Sequence, residues 1–383
     1  MDLTFGIEEE FFVVCGETGA IEPKTHDRFL ARARELSGGG VTRELLQSQV
    51  EIATPTCRDF AEARQHLARL RSALAQAGGE FGLSVIAAGT HPTAQWSEQL
   101  MTPKRRYDSV AAELQILTLR SLVCGMHVHV GLPDNERRID IMRRVVPFLP
   151  ILLALSCSSP FWCGFNTGFA SYRMTSSDES PRSGLPPLFA DWGQYHGYTE
   201  VLRSAGIIRD PSYIWWVVRP SHAHPTLELR IPDTCTSMED GLTIAALYRC
   251  LVRALAMDRS VNAQMGSPEH ALANENKWRV QRFGLRAEIV DPFQDRIVVD
   301  VPSIARHLVD WLRPHAVALD CNTEIERVEV ILDRGTSADR QLSIYEEAIS
   351  GGTEPLDALA KVEAWLQEET LAGCRLGQAP QAL

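Results

Sequence analysis

No stretch of this chain is apolar for long enough to cross a bilayer as a helix. The most apolar run, Val145 to Cys157, falls short of the roughly 20 residues a span needs and carries Pro147 and Pro150. Paired cysteines are missing too. The nine cysteines are scattered singly with no Cys-x-x-Cys, so neither a zinc ribbon nor a disulfide framework is expected, and the thiols read as reduced. Positive charge is in the minority. Lys and Arg number 38 against 49 Asp and Glu, a formal net charge of −11, which argues against a nucleic-acid backbone as the main partner. A Gly-rich phosphate loop is absent, so base and ribose contacts of any nucleotide stay unassigned. Met1-Asp2-Leu3 has no basic segment followed by a long apolar one, so no signal peptide is expected and the cytoplasm is the expected location. No membrane partner is expected.

What the chain does have is an unusual acidic strand. In Gly6-Ile7-Glu8-Glu9-Glu10-Phe11-Phe12, three acids sit inside an apolar run. Side chains alternate along a strand and two residues rise about 6.6 Å. Glu8 and Glu10 therefore share one face, and Glu9 lies on the other with Ile7 and Phe11. Two carboxylates at that spacing need a cation nearby if both are to stay ionised. A solvated acidic surface strand would look the same.

The alternation recurs. Gln47, Gln49 and Glu51 lie on one side of a second strand ending in Ala53-Thr54-Pro55. In Met126-His127-Val128-His129-Val130 the two imidazoles face away from the apolar residues. In Thr226-Leu227-Glu228-Leu229-Arg230-Ile231, Glu228 and Arg230 share a face. One sheet with an apolar face packed on helices and a polar face lining a cavity accounts for all four. Carboxylates with an imidazole suit Mg²⁺ or Mn²⁺, and such clusters commonly handle phosphoryl groups. Each piece also has a plain structural explanation: a satisfied His pair, or a cross-strand ion pair.

Between these strands, Asp59 reads as the N-cap of a helix that stops at Gly78-Gly79. Leu83 to Gly89 reads as a strand, and Ile116 to Val123 as the lead into the His strand. A helix from Asn135 to Ser156 is expected to be divided by its prolines. Ser158 to Pro187 reads as a loop, and Trp215 to Val218 as a strand. Ser237 with Asp240 resembles a capping box that opens a mostly helical C-terminal part from about residue 237. Helices are expected over 270–284, 302–312, 336–350 and 355–371. The pattern predicts one α+β domain over residues 1–383 with a largely antiparallel sheet.

The four polar strands, in this order, resemble the carboxylate–amine ligase family, also called glutamate–cysteine ligase type 2. Asn274-Glu275-Asn276-Lys277-Trp278-Arg279 and Arg340-Gln341 look like its later motifs. The resemblance implies a glutamine-synthetase-like fold, a curved sheet lining a funnel with helices outside. It also implies ATP, Mg²⁺ or Mn²⁺, and amide formation between an amino acid and an amine through an acyl phosphate. By the resemblance, Glu8, His127 and Glu228 form one metal group, and Glu10, Glu44 and Glu51 a second. Arg173 and Arg230 are its catalytic arginines, Lys277 and Arg279 contact the nucleotide, and His129 and Asn166 contact substrate. Glu44 and Glu51 are seven apart, so a turn or bulge must lie between them if both bind metal. A ligase for another acid and amine, a guanidino-type phosphotransferase and a metal-dependent hydrolase using His127-x-His129, His222 and His224 stay open. So does a homodimeric assembly.

Overall fold

A computed structural model describes residues 3–25, 27–294 and 297–374. Its centre is an antiparallel sheet that begins with β1 (Phe5–Cys15), β2 (Val41–Arg43), β3 (Gln49–Ala53), β4 (Leu83–Ile86) and β5 (Met126–Gly131). A separate short hairpin, β6 (Phe161–Trp162) and β7 (Phe165–Asn166), follows. β8 (Val218–Pro220) and β9 (Thr226–Leu229) then complete the main sheet. Its strand order is β2-β3-β1-β5-β9-β8, with β4 also paired to β1.

Register brings the polar residues into one field. Glu10 lies opposite Glu51, Glu8 opposite His127, His129 opposite Glu228, and Glu228 opposite Arg219. Directly opposed residues share a face, so these cross-strand pairs form a continuous polar surface. The other face is apolar. Phe5, Ile7, Phe11, Val50, Ile52, Val128, Leu227 and Leu229 are buried in the main core. The helices Phe60–Glu80 and Met238–Met257 belong to the same core, and the second is buried on nearly every side.

Glu9 lies on this apolar face and is fully buried. Its partner is Arg71, from the helix Phe60–Glu80, which reaches both carboxylate oxygens at 2.7 and 2.8 Å. The third acid of the strand is thus a structural ion pair, separated from the polar face by the sheet itself.

Several sequence expectations are adjusted. The helix capped by Asp59 runs on through Gly78-Gly79 to Glu80. Gly78 is there for a close approach: a Cβ would sit 2.5 Å from the Leu83 carbonyl oxygen. Ile116–Arg120 is a short helix rather than a strand lead. The proline-bearing helix is divided into Asn135–Val145 and Leu149–Ser156 by a 3₁₀ turn. The segment 158–187 contains the β6–β7 hairpin and a helix, Tyr172–Ser177. Ser237 precedes its helix without a side-chain cap, and Asp240 turns to Arg334, so no capping box forms there. The capping box forms at Thr336 and Asp339. Helices Asp27–Ser37 and Trp192–Ser204 were not anticipated, although Asp191 caps the second.

Candidate active site

The polar face lines a cavity of about 670 Å³. Glu8, Glu10, Glu44, Glu51, His127, His129, Arg173, Glu228 and Arg230 all reach it. Glu44 gets there by a turn. β2 ends at Arg43, and the chain folds back so that the Glu44 amide meets the Gln49 carbonyl. That reversal lets Glu44 and Glu51 face the same space despite their spacing.

Three overlapping groups have ligand atoms within 4.8 Å of one another: Glu10 with Glu44 and Glu51, Glu8 with Glu51 and His127, and Glu8 with His129 and Glu228. The first is the set expected from the resemblance. The other expected set is split, because His127 leans toward Glu51 while Glu228 shares its space with His129. One atom supports a cation here. His129 Nδ1 is hydrogen-bonded to Thr226 Oγ1 at 2.9 Å, but its buried Nε2 has no hydrogen-bond partner. It lies 3.3 Å from Glu8 Oε1, out of hydrogen-bonding geometry. A lone imidazole nitrogen between acids suits a metal better than an empty cavity.

The electrostatics divide the acids. Burial and the neighbouring Glu44 push Glu10 up to about 7. Burial followed by Glu44, Glu8 and Glu10 holds Glu51 well above the usual carboxylate range, and burial raises Glu44. Burial would raise Glu8 too, but the flanking imidazoles of His127 and His129 overcome it and hold Glu8 below the usual range. Glu228 is likewise lowered against its burial, by Arg230 and Arg219. Burial and then Arg230 lower His127 to about 4. Burial and neighbouring like charge raise Glu10 and Glu51, cationic or imidazole partners lower Glu8 and Glu228, and a divalent cation would favour the ionised form of the raised acids.

Arg230 projects from the end of β9, and its Nη1 meets Glu228 Oε1 at 2.5 Å. Arg173 reaches the cavity from the helix Tyr172–Ser177. Its guanidinium donates to the Arg230 and Ile231 carbonyls, each at 3.1 Å, and lies 3.8 Å from Asp233. Asp233 is held in turn by the Ser158 amide and the Ser159 and Ser171 hydroxyls. Gly125 makes room: a Cβ there would lie 2.1 Å from Arg173 Nη2. The same glycine's amide donates to Glu10 at 2.6 Å.

A family model described as glutamate-cysteine ligase family 2 matches residues 4–358. The chain belongs to this family. A relative from Bradyrhizobium sp. (strain BTAi1), named "Putative glutamate–cysteine ligase 2", is 42% identical over 371 residues, 97% of this chain and 88% of its own. One of the same name from Rhodospirillum rubrum is 43% identical over 373 residues, 96% of each chain. Among solved structures, a glutamate–cysteine ligase from Francisella tularensis in complex with AMP superposes with a TM-score of 0.70 at 12% identity, covering 97% of this chain and 89% of that one. A bifunctional glutathione synthetase from Pasteurella multocida gives 0.70 at 12% identity, covering 96% of this chain and 52% of that one. At such identities the likeness shows the fold alone: helices outside an antiparallel sheet, with no closed barrel among the described residues.

Three residues assigned from the family resemblance are not brought to the cavity. Lys277 is buried in an ion pair with Asp178, because it lies on the inward side of the helix Ser267–Phe283. Arg279 turns away to the Glu288 carbonyl. Asn166 is exposed on β7, where its side chain accepts from the Gly168 amide. His222 and His224 line the cavity, but among the described residues neither joins a metal-like group. Sequence reading missed Arg219, Lys104, Arg106 and Tyr107, all in the lining. Arg219 had a usable signal. Extending the expected strand past Val218 would have placed it opposite Glu228.

Proposed function

We propose that this chain is an ATP-dependent carboxylate–amine ligase acting on an amino-acid carboxylate, with glutamate and cysteine, named in its relatives, as the first pair to test. The observation that carries the reading is the field of five carboxylates and two imidazoles with Arg173 and Arg230 at its edge. A carboxylate does not condense with an amine in neutral water, because oxide is a poor leaving group. Transfer of the γ-phosphoryl group of ATP makes an acyl phosphate whose phosphate departs readily. In this reading Arg230 steadies charge on the phosphoryl group in flight, and Arg173 supplies fixed positive charge beside it. Mg²⁺ or Mn²⁺, when bound by the three carboxylate groups, two of which include an imidazole, would neutralise the triphosphate oxygens. The amine then attacks the acyl carbon after losing its proton.

With ATP and the acid present but no amine, hydroxylamine should trap a hydroxamate of the true acid, with release of ADP and phosphate. EDTA should abolish the signal, and Glu228→Gln should suppress it. An adenylate with pyrophosphate, or turnover without ATP, would overturn the mechanism. Mass measurement of the full-reaction product identifies the amine.

Metal binding should also release protons. Glu10 is held at about 7 in the metal-free chain, and a cation favours its ionised form. Affinity for Mg²⁺ therefore falls as pH drops through about 7, because the proton must be expelled first. Calorimetry in two buffers of different ionisation enthalpy checks this. Identical heats in both buffers would count against a metal site at Glu10.

A further inference from the structure

Glu228 differs from the other acids of the cavity. Among the described residues it is the only cavity carboxylate in an ion pair with a guanidinium, and it has two. Arg219, its cross-strand partner on β8, donates Nε to Oε2 at 2.9 Å and Nη2 to Oε1 at 3.1 Å. Arg230 adds a third donor on Oε1. Glu8, by contrast, faces only imidazoles, and Glu10 accepts from the Gly125 amide. Arg219 is anchored as well, since its Nη1 donates to the Ser212 and Ile214 carbonyls.

A divalent cation entering between Glu8, His129 and Glu228 therefore competes with the guanidinium groups for the Glu228 carboxylate. The side chains of Arg219 and Arg230 are only 14% and 19% exposed. Leaving them without an anion in so enclosed a place is costly. A triphosphate removes that cost by bringing its own negative charge. Cation and anion then exchange partners, and every enclosed charge stays paired.

We propose that Arg219 is a positioning residue that guards Glu228. It keeps the Glu8–His129–Glu228 group closed to divalent cations until an anionic nucleotide reaches the funnel and takes over the guanidinium groups. The inference rests on the ligase reading and deepens it. It makes filling of this one group conditional on nucleotide, while Glu10, Glu44 and Glu51 have no such guard. By linkage, the cation tightens nucleotide binding by the same factor.

The test is Mn²⁺ titration of the full chain, with free Mn²⁺ read by electron paramagnetic resonance, with and without the β,γ-imido analogue of ATP. Glu228→Gln identifies the class of sites concerned. In the wild type the analogue should tighten the weakest class by about tenfold or more, within the usual range of coupling between sites. In Arg219→Met that class should bind Mn²⁺ without the analogue, leaving about threefold coupling or less. Arg219→Lys keeps a positive charge and should keep most of the coupling, and melting curves confirm that both variants are folded. A purely structural cross-strand pair would leave the coupling of Arg219→Met unchanged. That result, or tight filling of every class in the wild type without the analogue, overturns the inference while leaving the ligase reading intact. Failure of the wild type to bind Mn²⁺ under either condition overturns the ligase reading and this inference with it.

Discussion

Arg230→Ala should lower kcat by roughly 10²–10³-fold, the loss seen when one preorganised donor to a developing charge is removed. The melting temperature should fall little. Arg230 faces the cavity, and Glu228 keeps Arg219 as a partner when it is gone. The variant loses a cavity donor without leaving a buried carboxylate bare. Steady-state kinetics beside a thermal melt separate the two effects. A normal kcat would take Arg230 out of the reaction, and a large drop in melting temperature would make it a structural residue.

The largest stability effect is expected on the opposite face of the same sheet. Arg71 and Glu9 are both fully buried. Arg71 also donates to the carbonyls of Cys235, Thr236 and Thr370 at 2.9–3.1 Å. Arg71→Met leaves Glu9 without its counter-charge inside the core, which costs about 3–5 kcal/mol. Replacing both partners, as Glu9→Leu with Arg71→Met, should recover a good part of that loss, because no charge is then stranded. Denaturant unfolding of the single and double variants measures the difference. If the single variant unfolds at the wild-type midpoint, the pair contributes nothing to stability.

These two arginines mark how far the sequence could be read. Period-two alternation placed Glu8, Glu10, Glu51, His127, His129, Glu228 and Arg230 on one face of a sheet, and register then joined them. Alternation reports which side a residue faces, and that was enough. It does not report partners. Nothing in the pattern singles out Arg71 on its long helix, because its partner lies 62 residues away. Arg219 was lost to a strand end placed at Val218, two residues before the end of β8. Lys277 and Arg279 were assigned by likeness to a motif, and such likeness does not say which side of a helix a residue takes. Glu44 needed a chain reversal that its spacing required but could not locate.

Arg71 also sets the order in which the molecule can be finished during synthesis. Its carbonyl partner at Thr370 lies 299 residues downstream. The hydroxyl of Thr370 accepts from the Ala87 amide, just past β4, at 2.9 Å. Both donors wait until the helix Pro355–Leu371 has left the ribosome and docked. Contacts this distant along the chain slow folding, since the intervening loop must close before they form. Nascent chains stalled before residue 370 should therefore be cut by protease between β1 and β4 far faster than released ones. Equal resistance would mean that the acidic strand is secured before its last partner arrives.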